Sequence, residues 1–197
     1  MNKVHRFCSQ NSLERVVVLD IEHTCTSNNS IPREERETIE IGAVLIDTKH
    51  YQVIDEFQSL IRPIRHPVIS NFCAELTGIK QSELEESEPF QNIYKDFLNW
   101  LPSDDELLLV TWGSYDLTQI NIDCSFHQLT PFSPSNTLNL KQAYRRACKL
   151  KKPVGLKKAI EISFGTFVGT HHRALDDARN TAKLFALVSS SLEEISY

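Results

Sequence analysis

A chain of 197 residues with 41% hydrophobic side chains and a formal net charge of −5 is long enough to bury a core without staples, and its acidic balance disfavours binding along extended nucleic-acid tracts. Its five cysteines (Cys8, Cys25, Cys73, Cys124 and Cys148) are odd in number and form no CxxC pair, which argues against a disulfide framework and a thiolate zinc site. The N-terminus has no apolar segment long enough for a signal peptide or a membrane span, so no membrane partner is expected and a reducing cytoplasmic setting is.

Residues 1–14 are polar and mixed, and read as a flexible lead-in to a single domain over 15–197. Val16–Glu22, VVVLDIE, is an apolar β-branched run ending in two carboxylates, and it predicts a strand buried on both faces. His23–Glu37 is rich in Ser, Asn and charge and reads as a long mobile loop. Thr38–Asp47 and Tyr51–Ile61 are two more strands, joined by a tight turn at Thr48, Lys49 and His50. Ser70 caps a short helix over NFCAEL, and Gly78 stops it. Helical spacing of Phe90, Ile93, Phe97, Trp100 and Leu101 predicts a helix over Pro89–Leu101. Glu106–Trp112 is another buried strand, and a helix follows from Tyr115 to about Leu129. Leu138–Leu150, Leu156–Phe164 and Arg173–Ile195 complete the chain as helices. Early strands followed by alternating strands and helices predict an α/β architecture around a mixed sheet.

Charge is distributed unevenly. Lys141, Arg145, Arg146, Lys149, Lys151, Lys152, Lys157 and Lys158 form a run without an acid, and Glu75–Glu106 is its acidic counterpart. Two solvated helix faces of opposite sign explain this as well as a basic rim beside an acidic, metal-filled cleft.

Strand side chains alternate, so Asp20 and Glu22 lie on one face. Paired carboxylates at the end of a buried strand are costly unless a cation sits between them. Asp116, just past the strand Glu106–Trp112 and at the opening of a helix, is one candidate for completing such a site. Asp116 also has the plain reading of an acid favoured by the helix dipole. Asp123 lies about 10 Å further along the same helix, too far to share the same ions.

In HHRALDDARNTAKLF, residues Leu175, Ala178, Ala182, Phe185 and Ser189 recur at helical spacing and define a buried stripe. At about 100° per residue, Asp176 points away from that stripe and Asp177 falls on its flank. Asp177 is therefore the candidate ligand. Were both helical, His172 and Asp177 would point about 140° apart, so a base serving the same site belongs in the loop before the helix. His171 and His172 both lie there.

The order DIE, then a mid-chain Asp after a strand, then H-x4-D near the C-terminus, resembles the DEDD exonuclease superfamily in its DEDDh branch. The stretches IEIGAVLID, FCAELTGI and WGSYD are similar to the Eri-type, or KapD-like, 3′→5′ exonucleases. The resemblance spans about residues 16–190. It implies an RNase H-like fold: a mixed five-stranded sheet flanked by helices.

It also implies roles. Asp20, Glu22, Asp116 and Asp177 match the four metal-binding acids, and His172 matches the general base. Phe72 and Tyr115 match the aromatics that hold the terminal base, although Phe72 has a plain alternative as a core residue. Thr77 and Gly78 match the turn that contacts the terminal nucleotide. The activity implied is release of nucleoside 5′-monophosphates from the 3′ ends of RNA or short single-stranded nucleic acid. It would use two divalent cations, Mg²⁺ or Mn²⁺ in view of the all-oxygen ligands. The loop His23–Glu37 matches no pattern of the family.

Overall fold

The computed structural model describes residues 14–103 and 107–190. The lead-in over 1–13, Glu106 and the end of the last predicted helix, 191–195, lie outside the described residues. Five strands form one sheet: β1 (Arg15–His23), β2 (Thr38–Asp47), β3 (Gln52–Leu60), β4 (Leu108–Thr111) and β5 (Asn136–Asn139), in the order β3-β2-β1-β4-β5. β1 pairs antiparallel with β2 and parallel with β4; β2 and β3 are antiparallel, β4 and β5 parallel. Among the described residues, seven helices flank this sheet: α1 (Asn71–Thr77), α2 (Gln81–Glu85), α3 (Phe90–Trp100), α4 (Tyr115–Phe126), α5 (Leu140–Ala147), α6 (Leu156–Phe164) and α7 (Ala174–Ser190). The mixed five-stranded α/β architecture is as expected.

Alternation along β1 divides the core in two. Val16 and Val18 pack with Leu140, Ile160, Leu184 and Phe185 on the α5–α7 side. Val17, Leu19 and Ile21 pack with Phe97, Ile120 and Cys124 on the α3–α4 side. Both faces are dry, which is why VVV runs without a polar break. Asp20 and Glu22 continue the even-numbered face and so emerge on the α7 side.

Local rules set most boundaries. The Ser70 hydroxyl accepts from the Cys73 N–H at 3.0 Å and opens α1, and Gly78, at φ 71°, closes it. The Asp47 carboxylate accepts from the N–H groups of Lys49 and His50 and forms the turn before β3. Several element ends differ from expectation by one to three residues, helix α2 is not among the expected elements, and the largest difference concerns β5. Leu138 belongs to strand β5, and the helix begins only at Leu140, with Asn139 accepting from Gln142 N at 3.2 Å as its cap. A four-residue strand, NTLN, is too short for alternation to register, and Asn is a poor strand former.

No helix among the described residues is long and apolar enough to cross a membrane.

Candidate active site

β4 pairs with β1 only as far as Val18. Beyond that point β1 is paired with β2 alone, and Asp20 and Glu22 stand above the C-terminal end of β4. This is where ligands gather in α/β sheets. α4 starts in the same place. Asp116, in its first turn, accepts from the Ile21 N–H at 3.3 Å, so it satisfies a donor that the sheet has left without a strand partner.

Asp177 arrives from above. α7 passes so close to β2 that a Cβ on Gly42 would lie 2.1 Å from the Leu175 nitrogen and 2.2 Å from the Ala174 carbonyl carbon. The approach carries Asp177 onto the pair. Carboxylate oxygens of Asp20, Glu22 and Asp177 all lie within 4.8 Å of one another. Asp176 turns outward as expected: its oxygens accept from the Thr170 N–H at 2.8 Å and from Arg179 at 3.1 Å. Asp123 stands apart in a buried network with Thr38 and Gln119.

Both histidines reach the cluster. The backbone of His172 is left-handed, at φ 68°, and its N–H donates to the two Asp177 oxygens at 3.3 and 3.4 Å. Its Nδ1 lies 4.0 Å from Glu22 Oε1. His171 Nε2 lies 3.9 Å from Asp177 Oδ2, and its ring packs edge-on against Phe167.

The electrostatics follow from crowding. Burial raises the Asp20 carboxyl well above the usual range, and the charges of Asp116, Asp177, Glu22 and Glu40 raise it further. Burial, then Asp177, Glu40 and Asp116, push Glu22 up to about 9. Asp177 rises to about 7 through burial, opposed by the His172 N–H. Asp116 rises to about 6 through burial, opposed by backbone donors including the Ile21 N–H. Burial and then neighbouring charge lower both histidines, His171 to about 4. Each like-charge pair costs on the order of 1–4 kcal/mol at about 4 Å. Hard oxygen donors at this spacing fit divalent cations, which would remove that repulsion.

A cavity of about 600 Å³ opens over the cluster and is walled by Trp112, Tyr115, His23, Lys157 and Lys158. Two members of the basic run therefore do rim the acidic cleft. The Tyr115 ring has its centroid 5.0 Å from that of His23 and 5.0 Å from the Arg33 guanidinium. Phe72 is 40% exposed on α1 and is not a core residue. The fully buried Thr77 hydroxyl donates to the Cys73 carbonyl and accepts from the Ile79 N–H, so with Gly78 it serves the turn that ends α1.

The loop after β1, illegible in the sequence, is pinched at its base. Thr24 N–H donates to the Glu37 carbonyl at 2.8 Å, and Glu37 N–H to the Thr24 hydroxyl at 3.0 Å. The buried Glu37 carboxylate then accepts from the N–H groups of Ile64, Arg65 and His66. Glu37 was readable as the end of a charged loop, but its backbone partners lie more than 25 residues away and leave no local signal.

The chain is similar to exonucleases. The chain is 33% identical to ERI1 exoribonuclease 2 from Homo sapiens over 89% of its own length, and spans 28% of that relative. It is 29% identical to the probable 3′-5′ exonuclease KapD from Bacillus subtilis (strain 168), over 88% of this chain and 83% of the relative. The crystallographic structure of the nuclease domain of 3′hExo, a DEDDh family member, bound to rAMP, superposes with a TM-score of 0.81 at 27% identity, covering 91% of this chain and 93% of that one. The exonuclease family model RNase_T matches residues 17–185, and the chain belongs to that family.

Proposed function

We propose that this protein is a 3′→5′ exonuclease that trims single-stranded RNA ends and releases nucleoside 5′-monophosphates. One observation carries the proposal: carboxylate oxygens of Asp20, Glu22 and Asp177 converge within 4.8 Å, with Asp116 and His172 at their edge. A pure binding module has no use for clustered acids facing phosphates.

DEDDh exonucleases depend on divalent metal. In this chain Asp20, Glu22, Asp116 and Asp177 would hold two such ions, Mg²⁺ or Mn²⁺. When bound, these ions supply Lewis-acid stabilisation of the charge that develops at the scissile phosphate. The remaining work falls to side chains. His172, whose ring burial makes harder to protonate, would take the proton of the attacking water at a ring nitrogen; Nδ1 is the one that faces Glu22. His172 lines the cavity over the acids, so the base would act where substrate is held. Tyr115 lines the cavity and would offer a planar face to the terminal base; Phe72, exposed on α1, and the turn at Thr77 and Gly78 are assigned to the terminal nucleotide by family resemblance alone, as none of the three lines that cavity. Lys157 and Lys158 attract the backbone phosphates electrostatically.

The decisive experiment digests RNA and DNA labelled at the 3′ or the 5′ end, with Mg²⁺ or Mn²⁺ and with EDTA. The expected result is metal-dependent release of 5′-mononucleotides from the 3′ end, faster on RNA. Internal cuts, release from the 5′ end, or binding without hydrolysis would overturn the proposal.

A further inference from the structure

A fifth acid lies beside the four. Glu40 faces Glu22 across the β1–β2 ladder, on the same side of the sheet. Its side chain is fully buried. A carboxylate in that position is retained only with a counter-charge and a full set of donors, and Glu40 has both. Arg173 Nε donates to it at 3.2 Å and Arg173 Nη2 at 3.0 Å. The Ala174 N–H, at the first residue of α7, donates at 3.0 Å, and Gln58 Nε2 on β3 at 2.6 Å.

These donors come from two segments, β3 and the start of α7, and the second leads directly to the site. Arg173 follows His172 in the chain, so the clamp holds the C-terminal side of the histidine loop. Asp177 N–H donates to the Arg173 carbonyl at 2.9 Å, which places Asp177 one helical turn beyond the clamp on the same side of the helix. One turn is about 5.4 Å and neighbouring strands are about 4.8 Å apart. With Arg173 fixed on β2, the next turn carries Asp177 to β1, where its carboxylate lies within 4.8 Å of those of Asp20 and Glu22. Gly42 allows α7 to approach the sheet but supplies nothing that fixes where along the sheet the helix begins. Glu40 does.

We propose that Glu40 is a positioning residue for the reaction: by clamping Arg173 and the Ala174 N–H, it sets where α7 begins, and so where Asp177 and His172 meet Asp20 and Glu22. The inference rests on the metal-dependent exonuclease reading, because it concerns the geometry of that centre.

The test compares the wild type with Glu40→Gln, Arg173→Gln and the double variant. Mn²⁺ binding is measured by calorimetry, and kcat and KM are measured on a single-stranded RNA oligonucleotide. Residues that orient ligands typically change metal affinity or activity by about 10–100-fold. Glu40→Gln is expected to weaken Mn²⁺ binding and lower kcat within that range, with KM within about two-fold of wild type. Arg173→Gln should act in the same direction, and the double variant should be no worse than the worse single one, because both changes break one clamp.

A structural role alone would lower the melting temperature and leave Mn²⁺ affinity and kcat per folded molecule unchanged, and that result overturns the inference. If Glu40→Gln fails to fold, Arg173→Gln, whose side chain is partly exposed, decides the matter: unchanged Mn²⁺ affinity there overturns it. Wild type that binds Mn²⁺ without releasing mononucleotides would reject the exonuclease reading and leave the binding comparison intact. Wild type that binds no Mn²⁺ would reject the metal centre itself.

Discussion

Gly42 stands directly opposite Asp20 in the β1–β2 ladder, and the backbone of α7 passes over it where any side chain would be. The absence of a Cβ at Gly42 is what allows a carboxylate from the C-terminal helix to reach carboxylates at the end of the first strand. The expected consequence is specific. Gly42→Ala has to push the helix away, because its Cβ would lie 2.1 Å from the Leu175 nitrogen and both partners are backbone. Overpacking of this kind typically costs about 1–3 kcal/mol, occasionally more. Urea denaturation should show that loss, and the folded fraction should bind Mn²⁺ more weakly. A variant of wild-type stability and metal affinity would mean that α7 is free to adjust, contrary to the contact described.

Asp116→Asn separates chemistry from folding. The Asn side-chain oxygen still accepts from the Ile21 N–H, so the junction of β1 and α4 is retained. The negative charge is lost. Thermal unfolding should stay within a few degrees of wild type, while metal-dependent hydrolysis falls below detection in a mononucleotide-release assay. Full activity in this variant would remove Asp116 from the ligand set.

The two histidines make a sharper pair. His172 is tied to Asp177 through its N–H and faces Glu22, whereas His171 packs on Phe167 with its pKa lowered to about 4. Loss of a general base typically costs about 10²–10⁴ in rate. His172→Ala is expected to lower kcat within that range with little change in KM, and His171→Ala to change kcat by less than about ten-fold. The reverse ranking would transfer the role of base to His171, which the distances alone do not forbid.

Much of this site could be read from the chain because it rests on local periodicity. Strand alternation put Asp20 and Glu22 on one face, and the wheel of Leu175, Ala178, Ala182, Phe185 and Ser189 separated Asp177 from Asp176. All five of these stripe residues are buried. The rest depends on contacts between residues far apart in sequence. Glu40 lies in the strand Thr38–Asp47 with no local signal of its role, and its partner Arg173 is 133 residues away. Glu37 looked like the end of a charged loop, yet it organises the chain at Ile64–His66. β5 escaped because four residues at the sheet edge carry too little pattern. In each case tertiary pairing, which no short window contains, determines the structure.

Metal and pH should act on stability together. Burial and mutual repulsion raise the carboxyl groups, Glu22 to about 9 and Asp177 to about 7, whereas in the unfolded chain they ionise near 4. Between those limits the metal-free folded state binds more protons than the unfolded state, so its stability falls as pH rises. His171 has the opposite sign. Its pKa is lowered to about 4 from an ordinary value near 6.5, so it reduces stability as pH falls below that value. Above about pH 6.5 His171 no longer contributes; the Cys25 thiol, lowered to about 7 first by its hydrogen bond with Cys73, opposes the carboxyl groups there but is outnumbered by them. Divalent cations take the place of their protons, so cation binding strengthens with pH. At about 100 times Kd a ligand adds about 2.7 kcal/mol, a rise of about 5–10 °C for a domain of this size. Melting temperatures recorded in EDTA should fall from about pH 6.5 to about pH 9. Those recorded in millimolar Mg²⁺ or Mn²⁺ should hold nearly level, so the gap between the two curves widens. Curves that stay parallel across this range would show that the carboxyl groups are already ionised without metal, and would leave the cluster without the electrostatic demand that the cations are proposed to meet.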